Sequence, residues 1–208
     1  MLTERRETAR AYLRESADTK RRTADSCDDA IIAAADLIAQ SFRAGAKVLL
    51  CGNGGSAADC QHMATEFVSR LTMSFERPGL PAIALTTDTS FLTAFANDCG
   101  FDGVFERQVQ ALGRPGDVLI GISTSGNSPN VVLAVKHARV AGLRSVVLTG
   151  AGGLLASLAD VAISVPSTDT QHIQETHLAV EHLICWLVER DLFSSPAAST
   201  AEKMAYDH

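Results

Sequence analysis

The chain has 208 residues, of which 46% are hydrophobic and 20% are charged, and its formal net charge is −6. This composition is typical of a soluble globular domain that is long enough to bury a sizeable core. The longest basic run is the three residues KRR at 20–22, so we expect neither nucleic acid nor an anionic membrane as a partner.

The first elements along the chain are helical. Residues 4–44 carry apolar side chains at helical spacing, which predicts either two helices or one long broken helix. Gly45 is suited to end this segment. We therefore expect an N-terminal helical arm over residues 1–45.

An alternation of strands and helices is predicted after the arm. The predicted strands are 48–51, 82–85, 118–123, 146–149 and 161–165, and the predicted helices are 56–72, 90–111, 128–142, 153–158 and 171–192. Each strand is apolar on both faces, as a strand covered on both sides must be. The pattern predicts one α/β domain over 1–208, with a doubly wound five-stranded parallel sheet in a core at 46–195. The polar segment 196–208 is predicted to be a flexible tail.

Cysteine usage and the N-terminus indicate the compartment. The five cysteines are odd in number and show no CxxC spacing, which favours reduced thiols. The N-terminus MLTERRETARAYLRES lacks the apolar segment of a signal peptide. No apolar run approaches the roughly 20 residues of a membrane span. A cytoplasmic protein is predicted.

Two glycine-containing loops follow predicted strands and are candidates for anion binding. GNGGS spans 52–56, and STSGNS spans 123–128. The second loop offers the hydroxyls of Ser123, Thr124, Ser125 and Ser128, while Gly126 permits a tight turn. The P-loop signature is absent, so the monophosphate of a small metabolite fits better than a nucleoside triphosphate. The alternative is an ordinary Ser/Gly turn that caps the next helix.

Histidines and acids share helix faces in two places. His62 and Glu66 are four residues apart and can bind zinc, although such a pair is also common as a surface ion pair. The last predicted helix begins TQHIQETHLAVEH and adds three more histidines. There, His177 and Glu181 can form an i,i+4 pair that needs no metal. Spacing alone does not show which of these residues face His62.

The segments GNGGSAADCQHMATEF, ISTSGNS and IQETHLAVEH together resemble the sugar isomerase (SIS) domain family. Within that family they are similar to the phosphoheptose isomerases of bacterial heptose synthesis, over nearly the whole chain. The resemblance implies a homotetramer of doubly wound subunits, with active sites formed between subunits and one zinc ion in each.

The resemblance also implies roles for individual residues. The implied zinc ligands are His62, Glu66, Gln174 and His182. The implied substrate contacts are Asn53, Gly54, Gly55, Glu66, Asn97, Asp98, Ser123, Thr124, Ser125, Ser128 and Gln174. Asp59 matches an acidic position of the family, one turn before His62, and is close enough to orient that histidine or to touch substrate. His172 replaces an arginine that many members have.

Helix geometry constrains one of these ligand assignments. Gln174 and His182 are eight residues apart, which is about 12 Å along a straight helix. Both reach one ion only if Gln174 lies in a frayed first turn or leans along the helix.

The implied reaction converts sedoheptulose 7-phosphate into D-glycero-D-manno-heptose 7-phosphate through an enediol. Glu66 is the expected base and His182 the expected acid. Glu66 cannot be a firmly held zinc ligand and a free base at once, so either zinc shifts during turnover or its role is partly structural. The alternatives are a non-catalytic SIS protein that binds the replication initiator and a sugar-phosphate sensor. The presence of Glu66 and His182 favours the enzyme, and the chain lacks the DNA-binding module that accompanies sensors.

Overall fold

The computed structural model describes residues 1–194, so the predicted tail at 196–208 lies outside the described residues. The strands are β1 Val48–Gly52, β2 Ala82–Ala84, β3 Val118–Ser123, β4 Arg144–Thr149 and β5 Val161–Ser164. They form one sheet in the order β2-β1-β3-β4-β5, and every neighbouring pair is parallel. The predicted five-stranded parallel sheet is confirmed.

The helices are α1 Leu2–Arg43, α2 Gly55–Val68, α3 Thr89–Cys99, α4 Val104–Leu112, α5 Pro129–Val140, α6 Leu155–Leu158 and α7 Thr170–Phe193. The arm is a single unbroken helix, which decides between the two predicted alternatives. It contains neither glycine nor proline, and it ends just before Gly45, whose φ is +75°. Within residues 1–194, no helix is long and apolar enough to cross a membrane.

The single helix predicted over 90–111 is wrong. Helix α3 stops before Gly100, whose φ of +90° is incompatible with a continuing right-handed helix. A short 3₁₀ turn, Phe101–Gly103, then leads into α4. The helix predicted at 153–158 is also shorter than expected, because residues 152–154 remain in the loop that precedes α6.

The sheet separates two apolar cores, as period-two alternation requires. In β1, Val48 and Leu50 pack on the side that holds α1, α2 and α7. Leu49 and Cys51 pack on the opposite side, with α4 and α5. The prediction that every strand is covered on both faces is wrong for β2, an edge strand in which Ile83 is 41% exposed.

The centre of the sheet contains the point where the strand order reverses. Strands β1 and β3 are neighbours, with Gly52 opposite Ile122. The helix that follows β1 packs on one face of the sheet, and the helix that follows β3 packs on the other. The loops after these two strands therefore diverge and leave a crevice, which is where doubly wound sheets bind ligands.

Candidate active site

A cavity of about 380 Å³ opens beside the loop that follows β3. Thr124, Ser125 and Asn127 line it together with Ser167 and Thr168 from the loop before α7 and Thr170 at the start of α7. Side-chain hydroxyls also converge inside the loop, because the Oγ of Ser123 lies 2.9 Å from that of Ser128 and 3.4 Å from that of Ser125. Ser128 is the N-cap residue of α5, yet its side chain makes no capping hydrogen bond. The arrangement therefore favours an anion site over a simple helix cap.

Two glycines close this loop against its neighbour. Gly126 has a φ of +65°, as the predicted tight turn requires, and a Cβ built on it would lie 2.4 Å from the carbonyl oxygen of Gly152. Gly153 has a φ of +103° and faces Gly126 in the same way. This second segment, which follows β4 at the same edge of the sheet, is not among the predicted site residues. Its run of glycines after a strand was the available signal.

A pair of asparagines joins the two predicted loops. Asn53 and Asn130 exchange two side-chain hydrogen bonds, each 2.9 Å long. Asn130 is 2% exposed, and its Oδ1 also accepts from the backbone amide of Val131. The GNGGS and STSGNS loops are thus held at a fixed separation. Sequence reasoning missed Asn130, because it reads as an ordinary residue in the first turn of a helix.

His62 and Glu66 of α2 meet His182 of α7. The Nε2 atoms of the two histidines are 2.7 Å apart, and the Nε2 of His62 is 3.6 Å from the Oε1 of Glu66. Among residues 1–194, these three side chains form the one group of His, Cys, Asp and Glu whose ligand atoms all lie within 4.8 Å of one another. Two imidazole nitrogens and a carboxylate oxygen are donors that zinc accepts. The three residues therefore fit a zinc ion.

Two carboxyl groups lie close to this trio in sequence and are short of hydrogen bonds. Within the described part of the chain, the Oδ2 of Asp59 and both carboxyl oxygens of Glu181 are buried without a hydrogen-bond partner. Burial raises the pKa of Asp59, and the neighbouring His62 opposes this shift. Burial, reinforced by the charge of Asp59, raises the pKa of Glu181 to about 8. Glu181 is therefore largely protonated at neutral pH in the metal-free chain.

The expected pair between His177 and Glu181 does not form. The Nε2 of His177 instead donates to the carbonyl oxygen of Thr149, 3.1 Å away, and over residues 1–194 its Nδ1 has no hydrogen-bond partner. Both side chains are fully buried. Burial lowers the pKa of His177 to about 4, although the hydrogen bond to Thr149 acts in the opposite direction. The side chain of His177 is a neutral core histidine.

Gln174 lies over the first glycine loop. A Cβ built on Gly55 would be 2.5 Å from the Nε2 of Gln174, so the amide occupies the space that any larger residue at position 55 would need. Gln174 is not in a frayed turn, because Asp169 caps α7 by accepting hydrogen bonds from the amides of Gln171 and His172. Its role as a fourth zinc ligand stays a prediction.

Asn97 and Asp98 lie at the exposed end of α3. The amide of Asn97 donates to the Oδ1 of Asp98 at 2.8 Å. The α3 helix has no buried residue within this chain. Contact between these two side chains and a substrate stays a prediction.

The start of α7 is anchored to α1 by a polar cluster around Glu175. Its carboxylate accepts hydrogen bonds from Tyr12 and Ser16, and Lys20 lies 3.8 Å away. The hydrogen bonds from Ser16 and Tyr12 lower the pKa of Glu175. His172 is 3% exposed, and its ring lies 4.6 Å from that of Tyr12. The residue that departs from the family arginine therefore packs against the arm.

Comparison with known proteins identifies the family. A model of the SIS domain matches residues 11–150. The phosphoheptose isomerase of Roseiflexus sp. (strain RS-1) is 56% identical over 179 residues, which cover 86% of this chain and 90% of that protein. The chain belongs to the phosphoheptose isomerase family. The predicted family and the prediction of an enzyme are confirmed.

Solved structures of phosphoheptose isomerases agree with this assignment. GmhA from Neisseria gonorrhoeae has a TM-score of 0.83 and 44% identity, and the match covers 91% of this chain and 99% of that one. The enzyme from Francisella tularensis has a TM-score of 0.84 and 37% identity, covering 88% of this chain and 97% of that one. The sugar isomerase domain of an RpiR transcription factor from Sphaerobacter thermophilus, at 21% identity and a TM-score of 0.62, shows the fold alone.

Proposed function

We propose that this chain interconverts sedoheptulose 7-phosphate and D-glycero-D-manno-heptose 7-phosphate through an enediol. The observation that carries the proposal is the meeting of Glu66 with His182, from two different helices, beside the imidazole of His62. A carboxylate and an imidazole in one site supply the base and the acid that aldose–ketose isomerisation requires. Membership of the phosphoheptose isomerase family supports this choice of substrate.

The phosphate group of the substrate occupies the hydroxyl-lined loop. Ser123, Thr124, Ser125 and Ser128 bind its oxygens. The converging hydroxyls of the loop support this assignment, as does the start of α5, whose helix dipole favours an anion. The sugar then extends toward the substrate contacts Asn53, Gly54, Gly55, Asn97, Asp98 and Gln174.

The reaction moves one proton between two carbons. Glu66 removes a proton from C1 of the ketose, beside the carbonyl carbon. His182 donates a proton to the carbonyl oxygen, which gives the neutral enediol. The proton then returns to C2, while the hydroxyl at C1 is deprotonated to form the aldehyde. The 16% exposure of the Glu66 side chain supports a site from which much of the water is excluded.

A zinc ion, one per subunit, is the proposed cofactor. His62, Glu66, Gln174 and His182 would hold it in the resting site, and the close approach of three of their ligand atoms supports the site. Glu66 would be free of the ion when it acts as the base. When bound, zinc would polarise the substrate carbonyl and stabilise developing negative charge. Asp59, three residues before His62, serves as an auxiliary group that orients the imidazole. The electrostatic coupling between Asp59 and His62 supports that role.

The proposed working form is a homotetramer with active sites between subunits. A cavity of about 470 Å³ borders His182 and is otherwise lined by Leu71, Leu183 and Trp186. An apolar wall beside a polar site is suited to a partner subunit. The exposed side chain of Ile83 on β2 supports an interface of the same kind. The proposed location is the cytoplasm, which the absence of disulfides among the five cysteines supports.

The direct test is turnover of sedoheptulose 7-phosphate. The purified, zinc-supplied chain is expected to form the aldose phosphate, and Glu66→Gln and His182→Gln are expected to lose this activity. Turnover that survives Glu66→Gln would retain the reaction but reject the assigned base. A folded wild-type chain with no turnover would reject the enzyme and favour a non-catalytic role, for which binding to the replication initiator would be measured next.

A further inference from the structure

Arg77, in the segment that connects α2 to β2, has a fully buried side chain. Its Nε donates to the Oε1 of Glu189 at 2.7 Å, and its Nη2 lies 2.7 Å from the same oxygen. The side chains of Arg77 and Glu189 are 0% and 2% exposed. A buried pair of this kind loses much of its hydration energy and is weak evidence for stability alone. The atoms that Arg77 contacts indicate a more specific role.

The guanidinium of Arg77 closes the end of the helix that carries Glu66. Its Nη2 donates to the backbone carbonyl of Glu66 at 2.6 Å, and its Nη1 donates to the carbonyl of Phe67 at 2.7 Å. The last four carbonyls of a helix have no partner within the helix, and α2 ends at Val68. Arg77 therefore supplies a hydrogen bond to the carbonyl of Glu66, at the turn from which the Glu66 side chain projects, and shares the carbonyl of Phe67 with the backbone amide of Leu80.

Glu189 connects this helix end to the helix that carries His182. It lies seven residues after His182 on α7, so both side chains are on nearly the same face, about two turns apart. Its Oε1 also accepts from the backbone amide of Leu71 at 3.1 Å. The ion pair thus links the end of α2 directly to α7.

The surroundings of Cys185 place the ion pair and Glu66 in one electrostatic environment. Burial raises the pKa of this thiol well above its ordinary value, and the neighbouring Glu66, Glu181 and Glu189 raise it further, whereas Arg77 lowers it. Arg77, Glu189 and Glu66 thus lie close enough to act on the same buried thiol.

We infer that Arg77 and Glu189 are positioning residues that fix Glu66 opposite His182. This inference rests on the proposed function of Glu66 and His182. Removing the pair frees the last turn of α2, and a small displacement of a reacting group can lower a rate about 100-fold. Substrate binding at the hydroxyl loop, on the other side of the crevice, is expected to change little. The structure therefore predicts an effect on kcat and on zinc affinity rather than on KM.

Glu189→Gln and Arg77→Lys test the inference, with Asp117→Asn as the matched control. Asp117, directly before β3, is 3% exposed and pairs with Lys47, directly before β1. Both carboxylate-to-amide variants are expected to lower Tm. Of these two, only Glu189→Gln is expected to lower kcat, by at least 10-fold, and to weaken zinc binding, by about 10-fold. Its KM is expected to stay within about threefold of the wild-type value. Arg77→Lys keeps the charge but loses the planar fork that reaches both carbonyls, so its kcat is also expected to be low.

Wild-type kcat and zinc affinity in folded Glu189→Gln would overturn the inference, as would full activity of Arg77→Lys. Equal losses of kcat in Glu189→Gln and Asp117→Asn would also overturn it, because the effect would then be general destabilisation. Amide hydrogen exchange of residues 62–68 gives a readout that does not depend on turnover. Faster exchange of these amides is expected in Glu189→Gln whether or not the wild-type chain is active. An inactive wild-type chain would refute the proposed function, but faster exchange would still show that the ion pair stabilises the end of α2.

Discussion

The Nε2 atoms of His62 and His182 lie 2.7 Å apart, although the two residues are 120 positions apart in the sequence. In a contact between two ring nitrogens, one must carry a hydrogen and the other must accept it. The two nitrogens therefore share one hydrogen, and both point at the same small volume. With the Glu66 carboxylate beside it, the same arrangement suits a metal ion.

Zinc affinity should depend on these two imidazoles. His182→Gln removes one nitrogen ligand and is expected to weaken zinc binding by about 100-fold or more. The loss of a residue that only supports a ligand already weakens binding by about 10- to 100-fold. Competition with a chromophoric chelator measures the affinity. His137→Gln, on α5 and outside the trio, is the control and should bind zinc as the wild type does. Equal affinities for all three proteins would refute the metal site.

Gly55 should be restricted to glycine by Gln174. In Gly55→Ala the new Cβ would lie 2.5 Å from the Nε2 of Gln174, so the flexible amide must move away while the backbone remains in place. We expect a loss of unfolding free energy below about 1 kcal/mol together with a fall in kcat/KM of about 10-fold.

A double-mutant cycle checks that the effect of Gly55→Ala acts through Gln174. Gln174→Ala should itself lower activity, and adding Gly55→Ala to it should have little further effect, because the clashing amide is already gone. Additive losses in the double variant would show that position 55 acts through its backbone instead.

Asn130 should stabilise the crevice between the two loops. Asn130→Ala removes both hydrogen bonds to Asn53 and leaves the amide of Val131 without its side-chain acceptor. The expected cost is about 2 kcal/mol of unfolding free energy, with an increase in KM because the loops are no longer held together. Urea unfolding and steady-state kinetics measure the two effects. Gln110→Ala, at an exposed position of α4, should cost less than about 0.5 kcal/mol, and an equally small cost for Asn130→Ala would contradict the prediction.

His177 should make the fold sensitive to acid. Its pKa is about 4 in the folded chain against 6.5 for an ordinary histidine, so only the unfolded chain takes up a proton between these values. The free energy of unfolding therefore keeps its full value above pH 6.5, where His177 is neutral in both states, and it falls as the pH is lowered toward 4. The full loss is on the order of 3 kcal/mol.

Urea unfolding at pH 7.5 and at pH 5.5 measures this contribution. The free energy of unfolding of the wild type should fall by about 1 kcal/mol more than that of His177→Gln between the two pH values. Parallel pH dependence in both proteins would show that His177 does not titrate as its buried position implies.

The sheet and the positions of both loops could be predicted because each rests on a local pattern. Apolar runs such as 118–123 are followed by a loop rich in glycine and serine, and parallel strands place such loops at one edge. The single helix at 2–43 and the break at Gly100 could not be decided, since propensity allows both outcomes and packing selects one. Asn130 acquires its role only because β1 and β3 are neighbours, which depends on strand order. The burial of Glu181 is opposite to what its charge suggests, and no pattern in the neighbouring sequence predicts it.

Turnover in D₂O tests most directly whether Glu66 transfers a proton during isomerisation. The wild-type chain would convert sedoheptulose 7-phosphate in D₂O, and NMR would locate deuterium in the aldose product. A proton held on a carboxylate exchanges with solvent before it returns, so transfer through Glu66 is expected to place deuterium at C2 of the product. A product that retains the original hydrogen entirely at C2, formed equally well by Glu66→Gln, would contradict it.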